Sequence, residues 1–485
     1  MHNEEIVKAL TAADEKMKGI CRPPAASATD WGTWQPPHPP HRPHRRQRCT
    51  KCIVKSDATR RIIVVSAPGK RFSNDIKVTD LLIQLANAVI EGKEYQAELQ
   101  QVVSRYKENA EGLNLDDKIT EAIATDLHAR IEEASKISDD FLLDTLKASG
   151  EDNNAKMIAA YFKSIGMNAK YVNPKEAGLI VNDGPERAMA VAEAYAKLNS
   201  LKNSKEIIVF PGFFGFTKAG VLRTFDRGGS DITGSILAAA VQADLYENFT
   251  DVDCVFSANP KVVNNPAEIQ EITYREMREL SYAGFSVFHD EALMPVVKLG
   301  IPVNIKNTNN PKVEGTKIVS KRKENHRPVT GISADSGFSI LYVSKYLMNR
   351  EIGFGRKLLQ ILEEEHISYG HTPSGLDDIS VIIRSHQLSP EKEERIIKRV
   401  YDELHADDAY FRHGFSMIVI VGEGMNNNTG LAARATNAIA TTGANIEMIN
   451  QGSSEVSLSF GVQEKFENVI LQALYQEFFA VAAVR

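Results

Sequence analysis

The stretch RTFDRGGSDITGSILAAAV, residues 223–241, constrains this chain more than any other. A charged turn with paired glycines runs straight into an apolar helical pattern, with Ser230 and Asp231 at the junction. Gly228 and Gly229 allow φ > 0 and let the backbone approach a ligand closely. Ser230 or Asp231 is the expected helix cap. The helix then directs free N–H groups and its positive dipole end at whatever occupies the turn. Such a turn is an anion site in outline. Local chemistry alone fits a capped surface turn equally well, so the rest of the chain decides.

Composition narrows the class without naming it. A chain of 485 residues buries sizeable cores and holds about three domains. The net charge of −6 argues against a general nucleic-acid binder. No apolar run approaches the length of a membrane span, so no membrane partner is expected. The opening MHNEEIVKALTAADEK is acidic and lacks an apolar segment, unlike a secretory signal. Four Cys in so long a chain point to a reducing compartment, with the cytoplasm the default.

Residues 1–50 differ in texture from the rest. Between Cys21 and Cys52 lie both Trp, three of the four Cys and seven of the 19 Pro. Pro at this density denies WQPPHPPHRPHRRQR a continuous hydrogen-bond ladder. His38, His41, His44, Cys49 and Cys52 are of zinc-ligand type, but their spacing is not that of a finger, and no metal site is assigned. A basic unstructured arm is a second reading. Out-of-frame sequence is the third and preferred one.

Further along, RIIVVS (61–66) reads as a buried parallel strand ending at a Pro-Gly turn. Helical patterns follow at 78–91, 115–136, 139–147, 152–164 and near 186–198, then the strand IIVFPGF. Alternating strands and helices imply a layered α/β core. From Val329 the order changes to strand, helix, two strands and helix, and the set then recurs at a spacing of roughly 80 residues.

Several segments stand in the order of one family's motifs. VVSAPGK, KVTDLL, SGEDNNAKMIAAYF, FPGFFG, RTFDRGGSD, NFTDVDCVFSANPKVV, YREMRELSYAGFSVFHDEAL and IPVNIKNTNNPKVEGT follow one another along the chain. From Arg61 to the C-terminus the sequence resembles the aspartate kinases of the amino-acid kinase superfamily, and its terminal repeats resemble paired ACT domains. The resemblance implies an α/β, three-layer, carbamate-kinase-like domain followed by two ferredoxin-like α+β ACT domains. The expected boundaries are 1–50 for the atypical segment, 51–325 for an incomplete kinase domain, and 329–408 and 413–485 for the ACT modules. Interleaving of the two modules is known in the family, so the boundary between them is soft.

The implied activity is ATP-dependent phosphorylation of L-aspartate with Mg²⁺ bridging phosphates. That reaction is the first step toward lysine, threonine, methionine and diaminopimelate. By resemblance, Asp231 organises the catalytic groups, Arg227 is catalytic and binds substrate, and Gly229 and Ser230 lie against the substrate. Thr79 is the substrate-binding Thr, and Glu151 receives the α-ammonium; a helix N-terminal carboxylate is the plainer reading of Glu151. Thr250, Asp251, Val252, Ser257, Asn259, Pro260 and Lys261 are the nucleotide residues. Asn259 and Pro260 stand where the family has Asp-Pro, and His289 and Asp290 where it has His-Pro.

Effector contacts map to Met348, Glu351, Gly353, Gly355, His371, Ser374 and Asp377 in the first module. In the second they map to Asn427, Thr429, Gly430, Asn445 and Ile446, although Gly430 serves equally well as a plain turn glycine. Lysine is the expected effector and threonine the other candidate, with a homodimer or larger homo-oligomer formed through the ACT domains. One family feature is lacking: no Lys-Phe-Gly-Gly loop occurs anywhere in the sequence. Lys8 has no glycine pair after it. A central strand and its phosphate loop are therefore expected to be missing, which keeps open an impaired amino-acid sensor as the alternative to a kinase.

Overall fold

The computed structural model describes residues 6–10, 53–72, 74–184, 187–226, 228–285, 287–288, 290–322, 327–426, 428–452 and 456–480, with side chains in all but 6–10, 290 and 480. Two compact units emerge, Met1–Val255 with Val287–Lys321, and Phe256–Ser286 with Arg322–Arg485.

The first unit is built on a mostly parallel sheet. Its strands are β1 (Ile6–Leu10), β2 (Arg60–Val65), β3 (Ala169–Tyr171), β4 (Ile207–Pro211) and β7 (Leu245–Thr250), with Val303–Asn307 and Thr316–Val319 beyond β7. A small hairpin of β5 (Phe214–Phe216) and β6 (Leu222–Thr224) stands apart. The order across the sheet is Thr316–Val319, Val303–Asn307, β7, β1, β2, β4, β3. Only the Thr316–Val319 pairing is antiparallel among these. RRIIVV suits an interior parallel strand because both faces are covered, so a continuous β-branched run is needed rather than alternation. Ile63 and Val65 face a helical layer formed by Val78–Ile90, Gln96–Gly112, Lys118–Ala134 and Asp139–Ser164. Ile62 and Val64 point to the other face by strand alternation.

Three sequence expectations are corrected here. The central strand is not missing: β1 lies between β2 and β7, pairing Val7 with Ile62 and Tyr246 and Ala9 with Val64 and Asn248. The short run IVKAL satisfies two facing rows of N–H and C=O groups that a gap would leave open. Second, the separate helices expected at 139–147 and 152–164 are one helix, Asp139–Ser164, capped by Ser138. Its polar middle hid the continuity, because Ser149, Glu151, Asp152 and Asn153 are buried and give no amphipathic period. Third, the helix Gln96–Gly112 was not foreseen, and Lys118–Ala134 and Ala192–Leu198 are shorter than their patterns. The Pro-rich residues 21–52 lie outside the described residues.

The second unit carries one six-stranded antiparallel sheet. Its order is Tyr369–His371, Asp378–Arg384, Gly331–Ser344, Asp408–Val421, Ser457–Gln463, Met448–Gln451. The two 14-residue strands pair along their whole length, from Gly331 against Val421 to Ser344 against Asp408, with irregularities around Phe338. Each long strand serves two cores. Leu341 and Val343 pack with the helices Phe354–Glu364 and Pro390–Leu404. Ile332, Ile418 and Ile420 pack with Leu431–Ala440 and Glu467–Tyr475. The modules thus interleave, with Gly331–Asp335 serving the second core. Residues 256–286 join this unit through buried Glu276, which accepts Thr330 Oγ1 at 2.7 Å and the Glu423 N–H at 2.9 Å and pairs with Arg322 at 3.0 Å. No described helix is long and apolar enough to cross a membrane.

One ion pair clasps the first sheet at β1. Arg60 on β2 and Glu247 on β7 meet bidentately, Nε to Oε2 at 2.5 Å and Nη2 to Oε1 at 2.7 Å, both side chains buried. Arg60 Nη1 also donates to Ile53 O and Ser56 Oγ, each at 2.7 Å. Removing one partner strands a desolvated charge, whereas removing both does not. Arg60→Met alone should cost about 3–5 kcal/mol in urea unfolding. Arg60→Met with Glu247→Leu should recover most of that loss.

Candidate active site

The helix Gly229–Val241 defines the site because every one of its residues is buried. Gly228 is its N-cap, at φ 81°, and no side chain caps the end. The expectation that Ser230 or Asp231 caps the helix is therefore corrected. The left-handed turn at Gly228 starts the helix early and moves both residues into its first turn. Ser230 and Asp231 are 6% and 8% exposed, so the carboxylate sits at an interior helix N-terminus.

Two close approaches explain the glycines. A Cβ on Gly212, in FPGFFG, would lie 2.4 Å from Ser230 Oγ and 2.8 Å from Ser230 Cα. A Cβ on Gly229 would lie 2.7 Å from the Phe213 ring. Phe213 itself takes φ 76°, held by its N–H to Thr233 Oγ1 at 3.0 Å and its C=O to the Phe225 N–H at 2.7 Å. The loop after β4 is thus fitted onto the first turn of the helix.

From the opposite side, β7 presents Tyr246 and Asn248, both buried. Asn248 Nδ2 donates to Asp231 Oδ1 at 2.7 Å, and Tyr246 OH donates to the Asp231 carbonyl at 3.1 Å. Burial pushes the Asp231 carboxyl up to about 7, while the Asn248 hydrogen bond pulls it down. Sequence reading assigned neither residue a role; the available signal was LYENFT, whose alternation puts positions 246 and 248 on one face.

The second buried carboxylate is Glu151. It lies in the middle of the helix Asp139–Ser164, so the helix N-terminal reading does not hold. Its side chain is 5% exposed, and burial raises it to about 8 against backbone N–H donation from Ala67. Glu151 Oε2 has no hydrogen-bond partner among the described residues. Beside it, a Cβ on Gly150 would meet Ala67 Cβ at 2.9 Å and Leu82 Cδ1 at 3.1 Å. Thr79 is half-buried in the first turn of Val78–Ile90, three residues before Leu82 and so on the same helix face.

These groups converge on one edge of the sheet. Val65 and Pro211 are register partners at the ends of β2 and β4, and the Gly212 N–H donates to Val65 O at 3.0 Å. Ala67, two residues past β2, serves Glu151; Gly212, one past β4, touches Ser230. Thr250 ends β7 on the same edge, its carbonyl accepting the Thr308 N–H at 2.8 Å. Asp251 O accepts Asn307 Nδ2 at 3.3 Å. Carboxyl ends of parallel strands are where α/β sheets bind ligands.

The expected residues fall in both units. Val252 follows Asp251 in the first unit, whereas Ser257, Asn259, Pro260 and Lys261 belong to the second. Ser257 accepts the Ile332 N–H at 2.8 Å and donates to Ala267 O at 2.9 Å. Asn259 Oδ1 accepts the exposed Lys261's own N–H at 3.0 Å, closing a local turn. Arg227, His289 and Asn427 lie outside the described residues.

In the second unit, Met348, Glu351 and Asp377 come together. The Leu347 N–H donates to Asp377 Oδ1 at 2.9 Å, and the Lys345 N–H to Asp377 O at 2.8 Å. Glu351 accepts Lys345 Nζ at 2.5 Å and Lys357 Nζ at 2.9 Å, which hold its carboxyl down at about 2. Gly353 caps Phe354–Glu364 at φ 83°, and Gly355 has open space around it. His371 instead meets Asn450 at 3.1 Å, and Ser374 lines a cavity of about 380 Å³ with Tyr342, Tyr410 and Arg412. Gly430 caps Leu431–Ala440 just after Thr429, Asn445 donates to Glu447 at 3.2 Å, and Ile446 packs on the second core.

Glu151 makes a stability prediction. Its folded-state proton affinity lies above the ordinary 4.5, at about 8, so the native chain holds a proton that the unfolded chain loses in that window. Stability therefore falls as pH rises from about 4.5 to 8. Glu151→Gln removes that dependence, so its gain in melting temperature over the parent should be larger at pH 8 than at pH 5.

Comparison with known proteins shows the family. Residues 42–307 match the amino acid kinase family and residues 418–478 the ACT domain. Aspartokinase 3 of Bacillus subtilis (strain 168) is 56% identical over 428 residues, covering 88% of this chain and 94% of the relative. The crystal structure of Clostridium acetobutylicum aspartate kinase superposes with a TM-score of 0.80 at 33% identity, over 98% of this chain and 100% of that one. E. coli aspartokinase III in complex with aspartate and ADP shares the fold at TM-score 0.72 and 23% identity, over 89% of this chain and 96% of that one. The family match and these relatives lead to one assignment: the chain belongs to the aspartate kinases of the amino acid kinase family.

Proposed function

We propose that this chain transfers the γ-phosphoryl group of ATP to the side-chain carboxylate of L-aspartate, giving 4-phospho-L-aspartate and ADP. The observation that carries the reading is Glu151, a buried carboxylate with one oxygen unpartnered among the described residues. Such a group calls for a cation with N–H donors, and the substrate α-ammonium is one. Phosphoryl transfer asks the protein for alignment and charge neutralisation more than for covalent help. Thr79, Gly229, Ser230 and Arg227 take the role of holding the substrate carboxylates, while Asp231 and Arg227 organise the transfer. Free N–H groups at the start of Gly229–Val241 favour the negative charge that develops there.

Thr250, Asp251, Val252, Ser257, Asn259, Pro260 and Lys261 are the proposed nucleotide contacts, with Lys261 offsetting phosphate charge. Mg²⁺ would accompany the nucleotide and offset phosphate charge, an ion that needs few protein carboxylates. The setting is the cytoplasm, at the first step toward lysine, threonine, methionine and diaminopimelate. Lysine or threonine acts through the ACT contacts around Met348, Glu351 and Asp377, in a homo-oligomer joined by those modules.

The reaction is tested by trapping acyl phosphate as the hydroxamate from Mg-ATP and L-aspartate. Asp231→Ala in a folded protein should lose roughly two to four orders of magnitude in turnover. Activity within a few-fold of the parent contradicts the assignment of Asp231. Because Asp231 titrates near 7, turnover should rise with pH through that value as the carboxylate ionises.

Regulation has its own test. An effector shifts an equilibrium only by its differential affinity for the two states. Calorimetry should show heat with lysine or threonine, and absence of both heat and thermal shift removes the sensor role.

A further inference from the structure

We infer that Asn248, backed by Tyr246, is a positioning residue for phosphoryl transfer: its amide N–H orients the Asp231 carboxylate and keeps it ionisable inside the protein. This inference rests on the role proposed for Asp231 and adds a residue that acts through it.

The geometry is specific. Asn248 and Tyr246 are two apart on β7 and so face the same way, into the first turn of Gly229–Val241. They are 1% and 0% exposed. Asn248 Nδ2 reaches Asp231 Oδ1 at 2.7 Å and lies 3.3 Å from the Tyr246 hydroxyl. That hydroxyl in turn donates to the Asp231 carbonyl at 3.1 Å. Side chain and main chain of Asp231 are therefore both held from one strand.

Stability does not explain the arrangement well. Asn248 Oδ1 has no hydrogen-bond partner among the described residues, and a buried unpartnered carbonyl is costly. An apolar side chain of the same size would avoid that cost. What it would not supply is a neutral donor for a carboxylate in a dry site, which holds the charge without adding one. The titratable group facing Asp231 among the described residues is the Tyr246 phenol, kept neutral by burial that pushes it far up. Glu247, between the two, turns to Arg60 instead.

The test is Asn248→Leu in the full-length chain. Turnover should fall about 10- to 100-fold, while KM for aspartate and for ATP stays within about three-fold, as expected for a residue that acts on the reacting geometry. The acidic limb of the kcat profile should move to higher pH, because the donor that lowers the Asp231 proton affinity is gone. The melting temperature should hold or rise. Unchanged turnover, an unmoved acidic limb, or a loss confined to KM overturns the inference. Tyr246→Phe supplies a second variant should the first not fold, with a smaller loss and a shift of the same sign. If the parent itself phosphorylates no aspartate, the proposed reaction fails rather than this interaction. Isotope-edited infrared titration of the Asp231 carboxyl then decides, with a rise in Asn248→Leu expected and no change contrary.

Discussion

Everything at the candidate site follows from burying one helix to its first residue. Gly229–Val241 has no exposed turn, so its unpaired N–H groups and the Asp231 carboxylate open into the protein rather than into water. An interior helix start is costly unless something polar meets it. The surrounding chain packs onto this helix start in three ways. Glycines at 212 and 229 let the backbone close onto Ser230 and Phe213. Thr233 Oγ1 accepts the N–H of Phe213, which sits at positive φ. Asn248 and Tyr246 rise from β7 to hold Asp231. The helix start lies against Gly212, just past the end of β4 at the carboxyl edge of the parallel sheet, where Ala67 serves Glu151.

Much of this was legible in the sequence, and the reasons for success and failure are physical. The glycine-paired turn and the apolar run after it announced the helix, and β-branched runs announced β2 and β4. Positions 246 and 248 were harder to read. A buried Asn in a strand looks like a defect until the helix opposite it is known. Glu151 was placed at a helix start because SGEDNN interrupts the apolar period, although burial on all sides is what removed the period. The absent Lys-Phe-Gly-Gly loop was read as an absent strand. IVKAL shows that backbone pairing needs only a short run of suitable residues, not the family's motif.

The second unit shows a related limit of linear reading. Two βαββα repeats suggested two successive modules, yet the long strands Gly331–Ser344 and Asp408–Val421 each serve both cores. Sequence order and core membership part company at Phe338, where the register shifts. Residues 256–286 follow the same logic: Glu276 and Ser257 bind them to the rest of the second unit by hydrogen bonds no local pattern reveals.

The central claim is that two interior carboxylates with raised proton affinities make this site, Glu151 awaiting a cation and Asp231 held ready beside the helix start. Calorimetric titration of L-aspartate at pH 7, repeated in buffers of different ionisation enthalpy, tests it most directly. With Glu151 raised to about 8 in the free protein, arrival of the α-ammonium should ionise it. The account predicts release of about one proton per site, abolished in Glu151→Gln. Binding heats that are the same in every buffer, or proton uptake, would contradict it.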